Sequence, residues 1–258
     1  MDYETIELKK ENNTATIILN RPKVHNAMNE KMMKELTECF KELKNDDSKI
    51  IVITGNGKSF SAGADLNWMK SMVDYSKEEN IEDSKLLLNL YEAIYNSPKP
   101  TIAKVNGHAF GGGLGLFFLF YIVISVKDCK FAFSEAKLGI IPSVISTYIF
   151  RRIGLSNMKR LFITGERFKS DYAEKIGLVD FCVDEDKIDE MVEKYIKIIG
   201  SSGPKAIIEI KKLVNKCEEM NREKYKNHTV EKISELRISD EGQEGISAFL
   251  EKRKSKWS

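Results

Sequence analysis

The chain has 258 residues, enough for a full hydrophobic core and a smaller appendage, and 42% of them are apolar, as in ordinary globular proteins. Lys plus Arg (41) nearly balances Asp plus Glu (39), so a net charge of +2 gives no electrostatic basis for binding nucleic acid or an anionic membrane. Cys39, Cys129, Cys182 and Cys217 lie far apart with no C-x-x-C pair, which excludes a recognisable zinc or redox motif and predicts reduced thiols.

The opening residues, MDYETIELKK, contain no apolar run, so no signal peptide is expected and the cytoplasm is the expected location. Thr5–Leu8 and Thr14–Leu19 read as strands, the second closed by Asn20-Arg21-Pro22. Asn29 is placed to cap a helix running to about Lys44, with Met33, Leu36, Phe40 and Leu43 along one face. The β-branched run Lys49–Thr54 predicts a buried strand, ended by Gly55-Asn56-Gly57. A polar stretch, Asp74–Asp83, precedes a helix from about Ser84 to Tyr95, and Pro98 and Pro100 bracket the approach to a strand at Thr101–Val105. From Val105 to Val126 no residue is charged, which is long enough to span a bilayer. Gly107, Gly111, Gly112, Gly113 and Gly115 crowd its first half, however, and predict a short helix and then a buried strand. Ile122–Val126, Lys130–Phe133 and Val179–Val183 read as further strands. Lys187–Ile199, Lys205–Glu219, Asn221–Ser239 and Glu241–Lys252 read as helices, broken near Gly200-Ser201-Ser202-Gly203-Pro204. The expected organisation is an α/β core over residues 1–200 and a helical region over 201–258.

Two glycine-bearing turns follow buried strands: Ser59 to Leu66 after Lys49–Thr54, and Asn106 to Gly113 after Thr101–Val105. Small residues let backbone N–H groups approach a ligand closely, and a helix N-terminus offers unpaired donors, so two such turns can aim at one developing oxyanion. Either turn by itself reads more readily as flexible backbone, because glycine-rich turns are common. Neither fits a nucleotide-phosphate motif.

Taken together, the motifs resemble the enoyl-CoA hydratase/isomerase (crotonase) family. Ala62-Gly63-Ala64-Asp65-Leu66 matches the family's A-G-x-D-[LI], and Asn106 to Gly113 matches its N-G-x-x-x-G-G-G. Lys130 to Pro142 matches its third signature, Leu161 to Arg167 and Ala173–Val179 the segment that follows, and Glu241-Gly242 through Lys254 its C-terminal end. The resemblance implies a ClpP-like spiral of β-β-α turns with a C-terminal helical trimerisation region, a homotrimer or hexamer, and an acyl-CoA thioester substrate. It implies no metal and no separate cofactor, coenzyme A being part of the substrate. It places the oxyanion-hole N–H groups at Ala64 and Gly112, with Gly111 beside them. Removing one such donor typically costs about 3 kcal/mol of transition-state stabilisation. Ala62, Asp65 and Leu66 fall where the family lines the coenzyme-A site, and Lys23 and Val24 near its adenine end. For Asp65 a helix cap is the competing role.

Glu135 occupies the position of a family catalytic glutamate, and apolar Phe131, Phe133 and Leu138 around it would raise its pKa. Family hydratases usually carry a second glutamate where this chain has Gly115. That departure also fits a Δ3,Δ2-enoyl-CoA isomerase working with one glutamate. Phe60 to Met69 and Pro142-Ser143-Val144-Ile145-Ser146 look like bacterial 3-methylglutaconyl-CoA hydratases, which makes that thioester a candidate substrate. Gly115 is then expected to leave room for its 3-methyl branch, with a cation such as Lys104 or a nearby Arg reaching its distal carboxylate. Local basic patches such as Arg151-Arg152 speak for a non-catalytic RNA- or partner-binding homologue. His25, His108 and His228 read as structural or surface residues, and Trp68 and Met69 as helix anchors or acyl-pocket wall.

Overall fold

β1 (Ile6–Glu11) and β2 (Thr14–Leu19) pair as an antiparallel hairpin. Alternation along β2 turns Ala15, Ile17 and Leu19 inward, and Asn12 and Asn13 take the positive φ that its two-residue turn requires. The computed structural model describes residues 2–257. They form two compact units, one built from the residues up to Ser97 and from Thr101 to Val192, the other from Pro98–Pro100 and Glu193 onward.

In the first unit, α1 (Glu30–Leu43) starts at Asn29, whose side chain accepts the Met32 N–H, and buries Met32, Met33, Leu36, Cys39, Phe40 and Leu43. From there one pattern recurs: a strand in the first sheet, a short strand in the second, then helix. β3 (Ile50–Gly55) leads to β4 (Ser59–Ser61), α2 (Leu66–Ser71) and α3 (Lys77–Tyr95). β5 (Thr101–Val105) leads to β6 (His108–Phe110) and α4 (Gly111–Gly115), and β7 (Ile122–Val126) to β8 (Lys130–Ala132) and α5 (Ser143–Thr164). β9 (Phe168–Lys169), α6 (Ser170–Lys175) and β10 (Phe181–Val183) close the series. The first sheet runs β1-β2-β3-β5-β7-β10 and the second β4-β6-β8-β9. Apart from the hairpin and the β8–β9 pair, all neighbours are parallel, as β-β-α turns require. The expected spiral is therefore the observed one.

Several elements depart from the sequence reading. β4 and β6 lie in stretches that read as turns, because three-residue strands are too short to show alternation; pairing of Ser59 with His108 and of Ala109 with Phe131 creates them. α3 starts at Lys77 rather than near Ser84. Ser76 and Glu79 form a capping box, each side chain accepting the other's backbone N–H, and so start the helix within the polar stretch. α5 was not expected; Gly154, at φ +70°, bends it midway. The uncharged stretch after Val105 is divided among β6, α4, a 3₁₀ turn (Leu116–Leu119) and β7, and no helix of the described residues is long and apolar enough to cross a membrane.

In the second unit, α7 (Ile188–Gly200, begun in the first) is followed by α8 (Pro204–Glu219), α9 (Arg222–Ile238) and α10 (Asp240–Leu250). Ser239 caps α10, and Glu241 accepts the Lys205 and Ala206 N–H groups at the start of α8. Ile210, Val214, Val230, Phe249 and Leu250 stand exposed on these helices.

Arg152 of α5 ties the first unit together. It donates to the Leu178 and Phe120 carbonyls, 2.9 Å each, and pairs with Asp180, which in turn accepts the Val123 N–H of β7. Its guanidinium is thus largely enclosed rather than half of a basic surface patch, while Arg151 donates to the Tyr95 hydroxyl. Arg152→Ala should cost about 3 kcal/mol in urea unfolding, the range for stranding one partner of an enclosed ion pair.

Candidate active site

The first turn owes its shape to contacts that leave no room for side chains. Gly63 sits at φ +89°, and a Cβ there would lie 2.9 Å from the Phe110 carbonyl oxygen. Met28 N–H donates to Gly63 O (2.7 Å) and Asp65 N–H to Met28 O (2.9 Å), a parallel bridge centred on Ala64. In such a bridge the flanking residues bond the partner, so the Ala64 N–H points the other way. No backbone acceptor takes it among the described residues.

Asp65 holds the turn from below. Its carboxylate accepts the Asn67 and Trp68 N–H groups, at 2.8 and 3.3 Å, as the cap of α2, and pairs with Arg21 at 2.8 Å. Burial by itself would raise its pKa, but Arg21 and the two amides together hold it below the usual carboxylate value. The carboxylate is thus fully engaged by protein partners.

The second turn contributes Gly111, Gly112 and Gly113 to the first turn of α4, whose amides have no helical acceptor. Space again dictates glycine: a Cβ on Gly112 would lie 2.8 Å from Met28 Cε, and one on Gly113 would overlap the Ser61 side chain. Gly111, at φ +47°, lies against the Glu135 carboxylate, 3.3 Å separating its virtual Cβ from Oε1.

Glu135 opens a 3₁₀ turn after β8, and Gly139 ends that turn at φ +75°. Its Oε2 is buried and has no hydrogen-bond partner among the described residues. Burial raises its pKa above the ordinary glutamate value, only partly countered by its own backbone N–H. Glu135, Ala64 and Gly112 all line one cavity of about 200 Å³, walled by Met28, Trp68, Leu87 and Ile141. A larger cleft of about 630 Å³ lies among Glu30, Glu78, Glu79 and Glu82 and contains none of these three.

The remaining expected site residues are not in the cavity wall. Ala62 donates its N–H to His25 O, Leu66 is 74% exposed at the start of α2, and Lys23 and Val24 lie in the 3₁₀ turn Pro22–Val24. Lys104 pairs with Asp189 and does not line the cavity. His108 accepts the Lys130 N–H at Nδ1, and His25 meets Ser59 Oγ at 3.1 Å, so both rings join turns together. Trp68 and Met69 are cavity wall. Among the described residues no three potential metal ligands cluster.

Tyr91 was not anticipated. Wholly buried on α3, it donates its hydroxyl to Gly112 O at 2.9 Å. A Cβ on Gly115 would overlap that hydroxyl. The expected room for a methyl branch beside Gly115 therefore does not exist; the phenol fills it. No local pattern marks Tyr91, because its partner lies on a different helix.

Known proteins share this fold. A family model described as "Enoyl-CoA hydratase/isomerase" matches residues 9–258. A crotonyl-CoA hydratase of Syntrophomonas wolfei is 33% identical over 99% of this chain and 98% of its own length. A short-chain-enoyl-CoA hydratase of Clostridium acetobutylicum is 31% identical over 98% and 97%. The crystal structure of an enoyl-CoA hydratase from Shewanella pealeana superposes with a TM-score of 0.95 at 35% identity, covering 98% of this chain and 96% of that one. The chain belongs to the enoyl-CoA hydratase/isomerase family and has the crotonase fold.

The clash between position 115 and Tyr91 yields a packing test. Gly115→Ala should lose about 1–3 kcal/mol, the usual cost of overpacking a filled core. Tyr91→Phe in the same chain should recover part of that loss. A double-mutant cycle by urea unfolding reads the coupling, and strict additivity would contradict the contact.

Proposed function

We propose that this chain hydrates an α,β-unsaturated acyl-CoA thioester. The observation that carries the proposal is the partnerless, buried Glu135 Oε2 in the cavity that Ala64 and Gly112 also line. Such an oxygen is costly to keep unless a ligand or water meets it. In this reading the Ala64 and Gly112 N–H groups hold the thioester oxygen. Glu135 takes a proton from water as the water oxygen bonds to C3, and the C2–C3 π electrons move into an enolate on the held oxygen. Glu135 then returns the proton to C2 and is ionised again. Asp65, through Arg21 and the α2 cap, fixes the Ala64 turn; Lys23, Val24, Ala62, Leu66 and Gly111 belong, by family position, to the coenzyme-A side of the site.

A second reading is a Δ3,Δ2-enoyl-CoA isomerase, in which Glu135 moves a proton from C2 to C4. Gly115 favours it, since the place of a second carboxylate is taken by a phenol. Hydration removes the conjugated enoyl absorbance and isomerisation to the 2-enoyl thioester creates it, so one spectrophotometric trace separates the two. For 3-methylglutaconyl-CoA the support from resemblance stands alone: Tyr91 fills the space beside Gly115, and Lys104 is paired elsewhere.

Residues 1–200 are proposed as the catalytic core and 201–258 as the assembly region of a homotrimer or hexamer. Exposed Val230, Phe249 and Leu250 support that role. Light scattering at micromolar concentration is expected to give a trimer or hexamer mass; a stable monomer would refute it.

For Glu135 the expectations are kinetic and thermodynamic. Glu135→Gln should lower turnover at least about 100-fold. In the wild type, kcat/KM should fall as pH drops through a pKa above that of ordinary glutamate, because protonation removes the base. A carboxyl whose folded pKa is raised destabilises the fold above that pKa, so the variant should melt no lower than wild type at neutral pH. Near-normal turnover in the variant would remove Glu135 from the chemistry.

A further inference from the structure

The cavity that holds Glu135 is lined by a second carboxylate, Asp83, and by no lysine, arginine or histidine. Asp83 reaches it from α3 beside Ser84 and Leu87, and the remaining wall is Met33, Met69, Met72 and the 140–145 segment. Asp83 is held in place: its Oδ1 accepts the Trp68 Nε1–H at 3.0 Å, and the indole itself is cavity wall. Asp83 also lines the neighbouring cleft, together with Glu30, Glu78, Glu79 and Glu82. Glu30 and Glu82 pair with Lys34 and Lys85 on the exposed surface, and of the carboxylates lining the cleft only Asp83 also lines the cavity. Unlike charge of this kind on a solvated surface, a carboxylate at a half-enclosed wall is weakly screened.

We infer that Asp83 is a specificity-determining residue that excludes anionic acyl groups and directs the site to uncharged enoyl chains, its charge rather than its indole partner setting the preference. The inference rests on the acyl-CoA reading of the same cavity. A terminal carboxylate on the acyl chain would enter a pocket with two fixed carboxylates and no counter-charge. An unsubstituted chain meets methionine, leucine and isoleucine side chains and leaves Asp83 to its indole partner. Because Asp83 comes from α3, away from the signature turns, it can vary without disturbing the Ala64 and Gly112 donors.

Saturated thioesters test this without any turnover. Calorimetric titration of the full-length protein should show butyryl-CoA binding at least about tenfold more tightly than glutaryl-CoA, which differs by a terminal carboxylate. Asp83→Asn, whose amide oxygen can still accept from the indole, should shrink that ratio at least about fivefold. Trp68→Phe removes the indole N–H but retains the charge and an aromatic wall, so the preference should persist. Equal binding of both thioesters by wild type would overturn the inference, as would an unchanged ratio in Asp83→Asn or a collapse of the ratio in Trp68→Phe. If both saturated thioesters bind with the expected preference but crotonyl-CoA is not hydrated, the hydratase reading fails while the selectivity of the pocket stands. If neither thioester binds, both fail.

Discussion

Glu135 keeps one carboxylate oxygen buried with nothing among the described residues to bond it, and much of the surrounding structure can be understood as the means of tolerating that condition. A buried acceptor without a partner costs roughly 1–3 kcal/mol, more when it is charged. Collapse around the oxygen would relieve that cost, so the wall must be rigid enough to resist it. The rigidity comes from β8, paired on both sides in the second sheet, and from Phe131 and Phe133, which pack edge-on or tilted against Phe117, Phe162 and Phe168. The carboxylate leaves this aromatic layer from a turn whose positive φ at Gly139 ends it abruptly.

The two donor turns are rigid for a different reason. Their glycines are filled up rather than loose: atoms of the opposite turn occupy the space that a Cβ would need at Gly63 and Gly113, and Met28 occupies it at Gly112. Close packing of this kind fixes N–H direction without any side chain touching the N–H itself. Tyr91 extends the same logic one layer outward. Its hydroxyl satisfies the Gly112 carbonyl, and its ring stacks edge-on with Tyr148, so the back of the second turn is both bonded and filled. The phenol also leaves the position of the second family carboxylate occupied by a neutral group, with burial and the nearby Glu135 holding its proton on well above the ordinary tyrosine range.

Much of this was legible along the chain. Alternation and β-branched runs located β2, β5 and β7 with the observed boundaries, and Asn29 marked the start of α1. The motif glycines and Glu135 were visible as residue types in order, and the structure gathers Ala64, Gly112 and Glu135 around one cavity. Misplaced elements share a cause. β4, β6 and β9 exist only through pairing with a distant strand, and α5 is bent at a glycine and carries no clean apolar stripe. The start of α3 was written in the sequence as Ser76-Lys77-Glu78-Glu79, a capping signal hidden by the polarity of the residues after it.

The sequence by itself determined the local grammar: which runs are strands, where helices begin, and which small residues let backbone approach backbone. These depend on neighbours within a few positions, where periodicity and steric preference act directly. Only the tertiary structure decided the site's electrostatics and its free space. Whether Asp65 is a ligand group or a cap depends on Arg21, whether position 115 is open depends on Tyr91 of another helix, and whether Lys104 faces the cavity depends on Asp189. Each of those answers is a contact between residues far apart in the chain. Charge and volume are additive only in three dimensions, so no pattern along the backbone could have carried them.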